Sequence, residues 1–149
     1  MAASPVFEPC ARAGEGIVYD AGTGRLFWVD ILGGLVHESD PVTMATRSWD
    51  VGQPVGCVAA CSDPDRLLLG MRDGFAFLDK ATGNLSLIHD PEPDRPDNRL
   101  NDGVCDPAGR FWAGTMRMGG PRPGDPPCGA LYRLDSDLSC TRMLDGFHI

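Results

Sequence analysis

Three turns of related chemistry recur along the chain with their leading aspartates 43 residues apart. They are Asp20-Ala-Gly-Thr-Gly24-Arg25, Asp63-Pro-Asp65-Arg66 and Asp106-Pro-Ala-Gly109-Arg110. Each turn stands between two short apolar runs, such as Ile17-Val-Tyr19 and Leu26-Phe-Trp-Val29, which is the signature of a β-hairpin. A third run follows each hairpin, at Gly34–Asp40, Gly74–Asp79 and Gly129–Asp135, and Asp50, Asp90 and Asp145 each close a fourth. Four short strands recurring every ~40–45 residues mark the blade of a propeller. No segment of helical length carries a 3.6-residue apolar period. The expected fold is therefore all-β, a β-propeller of four-stranded antiparallel blades with about three blades in residues 1–149. A sandwich or barrel of evenly spaced hairpins is the alternative.

The inner strands are expected near residues 16–19, 57–61 and 103–105, with a Pro/Gly-rich loop inserted at Met118–Pro127 of the third repeat. Three blades leave a ring open, with unpaired strand edges. Asp145-Gly-Phe-His-Ile149 reads as the start of a further inner strand. Residues 1–149 are thus expected to be the N-terminal part of a single propeller domain, cut short, and the isolated chain is expected to associate.

Composition narrows the function. A net charge of −8 offers nothing to neutralise a phosphate backbone, so nucleic acid is excluded as a partner. No apolar run approaches a membrane span, and Met1 to Glu8 lacks the basic and apolar regions of a secretory signal. The expectation is a cytoplasmic protein with no membrane partner. The spacing of Cys10, Cys57, Cys61, Cys105, Cys128 and Cys140 makes neither a disulfide framework nor a zinc motif. Reduced thiols are expected, with Cys57 and Cys61 as small buried hydrophobes. Trp28 and Trp112 read as blade core at corresponding second-strand positions, and His37, His89 and His148 stand too far apart in the repeat to form a metal site. There is no Gly-x-Ser-x-Gly elbow, phosphate loop or EF-hand spacing.

The repeats differ where a propeller meets its ligand. The first strand of each blade lines the central channel, and five residues before each turn aspartate stand Glu15, Val58 and Asn101. Two of these are polar on strands otherwise given to packing. A carboxylate and a carboxamide converging on an axis are oxygen donors suited to a hard divalent cation or to sugar hydroxyls. Arg99 lies two residues before Asn101, on the same face of an extended segment. The residues alone leave a second reading open: Glu15 and Asn101 as turn residues, and Arg99 as the ion-pair partner of the acidic loop Asp90–Asp97.

Six motifs occur in order along almost the whole chain: Gly14-Glu15-Gly16, Leu26-Phe-Trp-Val-Asp-Ile31, Asn98-Arg-Leu-Asn-Asp-Gly103, Asp106-Pro-Ala-Gly-Arg110, Ala113-Gly-Thr-Met116 and Gly129-Ala-Leu-Tyr132. In this combination the chain resembles the gluconolactonase/regucalcin family of sugar lactonases. The resemblance implies a six-bladed propeller that holds one divalent metal (calcium, zinc, magnesium or manganese) and hydrolyses a sugar lactone. It implies Glu15 as a metal ligand and Arg99 and Asn101 as substrate-binding residues. The family's asparagine ligand, and the aspartate that serves as ligand and general base, fall beyond residue 149, so no catalytic base is expected within the chain. A glutamate found after the Gly-Thr-Met segment in regucalcin-like members is replaced here by Arg117-Met118-Gly119. A calcium-binding or interaction propeller without enzymatic activity, and an inactive fragment, are the alternatives.

Overall fold

The computed structural model describes residues 11–147. Every element in it is a strand. The first blade comprises β1 (Gly14–Asp20), β2 (Arg25–Asp30), β3 (Leu35–Ser39) and β4 (Thr46–Asp50). The second comprises β5 (Val55–Ala60), β6 (Arg66–Met71), β7 (Gly74–Asp79) and β8 (Leu85–His89). The third comprises β9 (Asn98–Cys105), β10 (Phe111–Arg117), β11 (Gly129–Leu134) and β12 (Cys140–Phe147). Each set forms one sheet in chain order, and every pairing is antiparallel. The three inner strands fall where the spacing of the turns puts them.

Burial shows which blade lies in the middle. From Val55 to Ala59 every residue of β5 is buried, because the first blade covers one face of its sheet and the third covers the other. Strands β1 and β9 instead alternate, leaving Ile17 70%, Tyr19 61% and Val104 68% exposed. One core packs Phe27, Val29, Val36 and Trp49 against Val55, Val58, Leu69 and Leu78. A second packs Ala59, Leu68 and Phe75 against Leu100, Phe111, Ala113 and Tyr132, with Phe75 and Phe111 edge to face at 6.1 Å. Each such large side chain contributes about 1.5–3 kcal/mol by leaving water, so two inter-blade cores fix the relative placement of the three sheets.

Two details differ from expectation. Asp145 does not close the fourth strand of the third blade and does not begin a new one. Asp145 pairs with Ala130 and Phe147 with Gly129, so the segment continues β12, and Gly146, at φ +82°, accommodates the register shift between these pairs. His148 and Ile149 lie outside the described residues, as do Met1–Glu8 and Cys10. The second detail concerns the turn aspartates. Asp20 closes the first hairpin by pairing with Arg25, and the Asp106 N–H donates to the Arg110 carbonyl in the third. In the second blade the last pair is Ala60 with Leu67, so Cys61 holds the place of Asp20 and Asp63 stands two residues deeper in its turn.

Candidate functional site

All three inner strands break register toward the same end, away from the first hairpin turn of each blade. Pairing shifts between Glu15 and Val18 in β1, between Val55 and Cys57 in β5, and between Leu100 and Gly103 in β9. Such bulges re-aim side chains and gather near functional sites. Glu15 pairs with Val29, four residues after Arg25, and Asn101 sits in the bulge opposite Gly114, four residues after Arg110. The equivalent place in the second blade is held by Gly56 and Cys57, and Val58, one pair deeper, is a buried core residue facing Leu69. Counting back five from Asp63 stops two residues short, at Val58 and not Gly56, because Asp63 lies two residues too far along its turn.

Gly56 explains how the first and third blades each close on the middle one. A β-carbon at this position would run into the carbonyl oxygens of Leu100 and Asn101. On its other side, Gly16, at φ +64°, packs within reach of the Gly56 carbonyl and the Cys57 backbone. The middle blade therefore contributes only backbone at Gly56, where each neighbour meets it.

Arg99 and Asn101 form one unit. Arg99 Nη1 donates to Asn101 Oδ1 at 2.7 Å and to the Leu100 carbonyl at 3.0 Å, and Nη2 donates to Met116 Sδ at 3.3 Å. With its oxygen engaged by Arg99, the Asn101 amide keeps its Nδ2 hydrogens as donors. Burial lowers the guanidinium pKa of Arg99 from its ordinary value, while the charge of Glu15 acts in the opposite sense. That coupling places the Glu15 carboxylate within electrostatic reach of Arg99, although no ion pair joins them. Glu15 itself is exposed.

The acidic loop of residues 90–97 is occupied by other cations. Arg95 donates to Glu92 at 3.2 Å, and Arg117 pairs with Asp97 at 3.3 Å and with Asp125 at 2.6 Å. Arg99 makes no ion pair with this loop, and Arg117 clasps the 90–97 loop to the Pro/Gly-rich loop after β10. A cleft of about 130 Å³ opens beside them, lined by Arg72, Asp73, Glu92, Arg95 and Arg99 among others.

Glu92 is the residue that the sequence did not single out. Its nearly buried carboxylate accepts from Asn98 Nδ2 at 2.7 Å, Tyr132 OH at 3.1 Å, Thr115 Oγ1 at 3.2 Å and Arg95. Burial and then the Glu92 charge push the Tyr132 phenol up to about 12. Asn98 also donates to the Cys128 carbonyl at 3.0 Å. Glu92 thereby anchors the residue that precedes Arg99. A glutamate among prolines and aspartates carries no periodic signal of burial, so only the fold reveals it.

Glu15 supplies oxygen atoms of the kind a hard cation takes, whereas Asn101 Oδ1 is committed to Arg99. Among the described residues no group of three or more His, Cys, Asp and Glu stands together to hold a metal. The residues present fit one carboxylate arm of such a site. Cys57, Cys61, Cys105, Cys128 and Cys140 are free thiols. Burial pushes Cys57 up to about 12 and Cys61 to about 11, which keeps both protonated at neutral pH and unsuited to metal binding. Cys57 is a buried hydrophobe as expected, whereas Cys61 is half-exposed. Among the described residues no helix is long and apolar enough to cross a membrane.

The sequence model of the SMP-30/Gluconolactonase/LRE-like region matches residues 13–149. The chain belongs to this family. Within the SMP-30/gluconolactonase family it is 36% identical over 132 residues to L-arabinolactonase of Azospirillum brasilense, across 87% of this chain and 42% of that protein. It is 34% identical over 135 residues to regucalcin of Xenopus laevis, across 90% of this chain and 45% of that protein. The crystal structure of regucalcin of Agrobacterium tumefaciens, described as a calcium-binding protein, matches with a TM-score of 0.83 at 29% identity, over 95% of this chain and 46% of that one. The chain spans less than half the length of these relatives.

Proposed function

We propose that the protein carrying this chain hydrolyses a sugar lactone with the help of one divalent metal ion, and that these residues supply one side of its active site. The observation that supports this most is that the inner-strand bulges share one end of their blades. The strand that carries Glu15 meets the backbone around Gly56 through Gly16, and the strand that carries Arg99 and Asn101 meets it through the Leu100 and Asn101 carbonyls, which supports a shared site. Family membership and relatives named as lactonases favour the same substrate class.

Glu15 would hold the cation through its carboxylate oxygens. A bound divalent ion supplies Lewis-acid polarisation of a carbonyl oxygen. Arg99, half-buried and held by the Leu100 carbonyl, Asn101 and Met116, offers a fixed cation to electron-rich substrate oxygens. Its local order means little rearrangement is needed as charge develops. Asn101 directs its Nδ2 hydrogens at a sugar hydroxyl or ring oxygen and holds Arg99 in place through Oδ1. The general base and the remaining ligands are proposed to come from the rest of the full-length protein.

The test is a pH-indicator assay of the full-length protein on several sugar lactones, with added divalent metal and with chelator. Metal-dependent ring opening is expected. Arg99→Ala and Asn101→Ala should each lower kcat/KM by about 10²-fold or more, the scale seen when one fixed polar donor to developing charge is removed, with metal affinity largely kept. Metal binding without turnover on any lactone would contradict the enzymatic reading and favour a calcium-binding propeller.

A further inference from the structure

Glu15 is flanked by Gly14 and Gly16, residues that offer the backbone the most freedom and therefore the least inherent order. A carboxylate meant to hold an ion needs its backbone fixed by something else. The segment leading into it, residues 12 and 13, runs against the end of β2, where Asp30 is 3% exposed. Asp30 Oδ2 accepts the Arg12 N–H at 2.9 Å, and Oδ1 accepts the Ala13 N–H at 2.9 Å and the Gly33 N–H at 3.1 Å. The Ile31 N–H donates back to the Ala13 carbonyl at 2.9 Å. The pocket for this carboxylate is shaped for it, since a β-carbon on Gly33 would strike the Asp30 side chain. From this clamp the chain passes directly into the pairs Gly14 with Asp30 and Glu15 with Val29.

We infer that Asp30 is a positioning residue for the metal-binding arm. Its buried carboxylate ties the lead-in segment 12–13 and the β2–β3 turn to one point, and so holds Glu15 at the channel mouth. The inference rests on the proposed role of Glu15 as a metal ligand. Three backbone N–H groups converge on two carboxylate oxygens, and only a carboxylate accepts at both positions. In Asp30→Asn one of those oxygens becomes an NH₂ group, which opposes at least one of the three donors. The freed segment then leaves Glu15, between two glycines, held only by the last backbone pairs of β1 with β2. Supporting contacts behind a ligand are worth about 10–100-fold in metal affinity.

The experiment compares the full-length protein with Asp30→Asn, and with Asp79→Asn as a control. Asp79 is also a turn carboxylate, accepting the Thr82 N–H and Oγ1 at 2.7 Å, but at the opposite end of its blade. Amide hydrogen exchange is read without metal, and calcium affinity is read by calorimetry. Asp30→Asn should speed exchange at residues 13–16 while leaving β5 and β9 protected, and should weaken calcium binding about tenfold. Asp79→Asn should do neither. Unchanged exchange at 13–16, or unchanged calcium affinity in Asp30→Asn, overturns the inference. A parent protein that binds neither calcium nor zinc, magnesium or manganese in the same titration overturns the proposed function instead, and the exchange pattern then decides the positioning role alone. Should Asp30→Asn fail to fold, Arg12→Pro removes a single donor from the clamp and is held to the same outcomes.

Discussion

At the scale of single residues, a missing side chain does as much for the site as those that are present. Gly56 lets the Leu100 and Asn101 carbonyls close on the middle blade, and neither backbone oxygen can yield to a β-carbon. Gly56→Ala should therefore cost about 3 kcal/mol, the upper end for overpacking, in urea denaturation. Gly114→Ala is the control, because its β-carbon would meet nothing closer than the Ala130 carbonyl at 3.9 Å. That variant should stay within about 1 kcal/mol of the parent. Glu92→Ala strips a common acceptor from Asn98, Thr115 and Tyr132 and should cost about 2 kcal/mol in the same measurement. The legibility of these residues follows from their surroundings. Glu15 and Asn101 hold matching places legible in the sequence because the hairpins of the first and third blades begin directly at Asp20 and Asp106. Val58 was misplaced because the turn of the second blade is built differently, and Gly56 and Glu92 owe their roles to neighbours distant in sequence.

At the scale of elements, the turns rather than the strands carry the recognisable chemistry. Asp20 accepts the Gly22 N–H at 2.9 Å and the Thr23 hydroxyl at 2.6 Å, while Asp40 accepts the N–H groups of Val42 and Thr43 and pairs with Arg25. Asp106 holds Arg110 and the Trp112 indole. These contacts lower the carboxyl pKa of all three, and the N–H groups of Thr43 and Val42 hold Asp40 down to about 2. A carboxyl depressed in the folded state contributes stability that is complete above its unfolded value of about 4 and is lost as pH falls through the folded value. The share of stability that these carboxylates carry, measured by urea denaturation of the parent against Asp40→Asn, should thus be constant above pH 5 and should fall between about pH 4 and 2. Asp40→Asn should be less stable than the parent at pH 6 and converge on it near pH 2. A gap between parent and variant that persists at pH 2 would mean that these turn contacts do not act through the charge. The hairpins were legible because such turns recur in sequence. The exact register was not: Trp28 and Trp112 look equivalent but fall one step apart on their second strands. Trp28 stacks on His37 at 3.8 Å in the first blade, whereas Trp112 bonds Asp106 in the third.

At the scale of the whole molecule, three blades bury both faces of the middle sheet and one face of each outer sheet. Ile17, Tyr19 and Val104 remain largely exposed on the uncovered inner strands, and Leu144 is 57% exposed on β12. The 149-residue chain by itself should therefore associate, and light scattering should give a mass above the 16.0 kDa monomer. A monodisperse monomer would show that these faces tolerate water. The blade count was legible from the repeat alone, whereas burial depends on which sheets are neighbours and could be assigned only from the fold. The proposed site depends on the Glu15 carboxylate, and calorimetric titration of divalent metal into the full-length protein and its Glu15→Gln variant tests that role most directly. The substitution keeps the shape of the side chain and removes its charge, so the parent should bind one ion and Glu15→Gln should bind it at least tenfold more weakly. Equal affinity in the two proteins, with the fold unchanged by circular dichroism, would make Glu15 a turn residue and contradict the site described here.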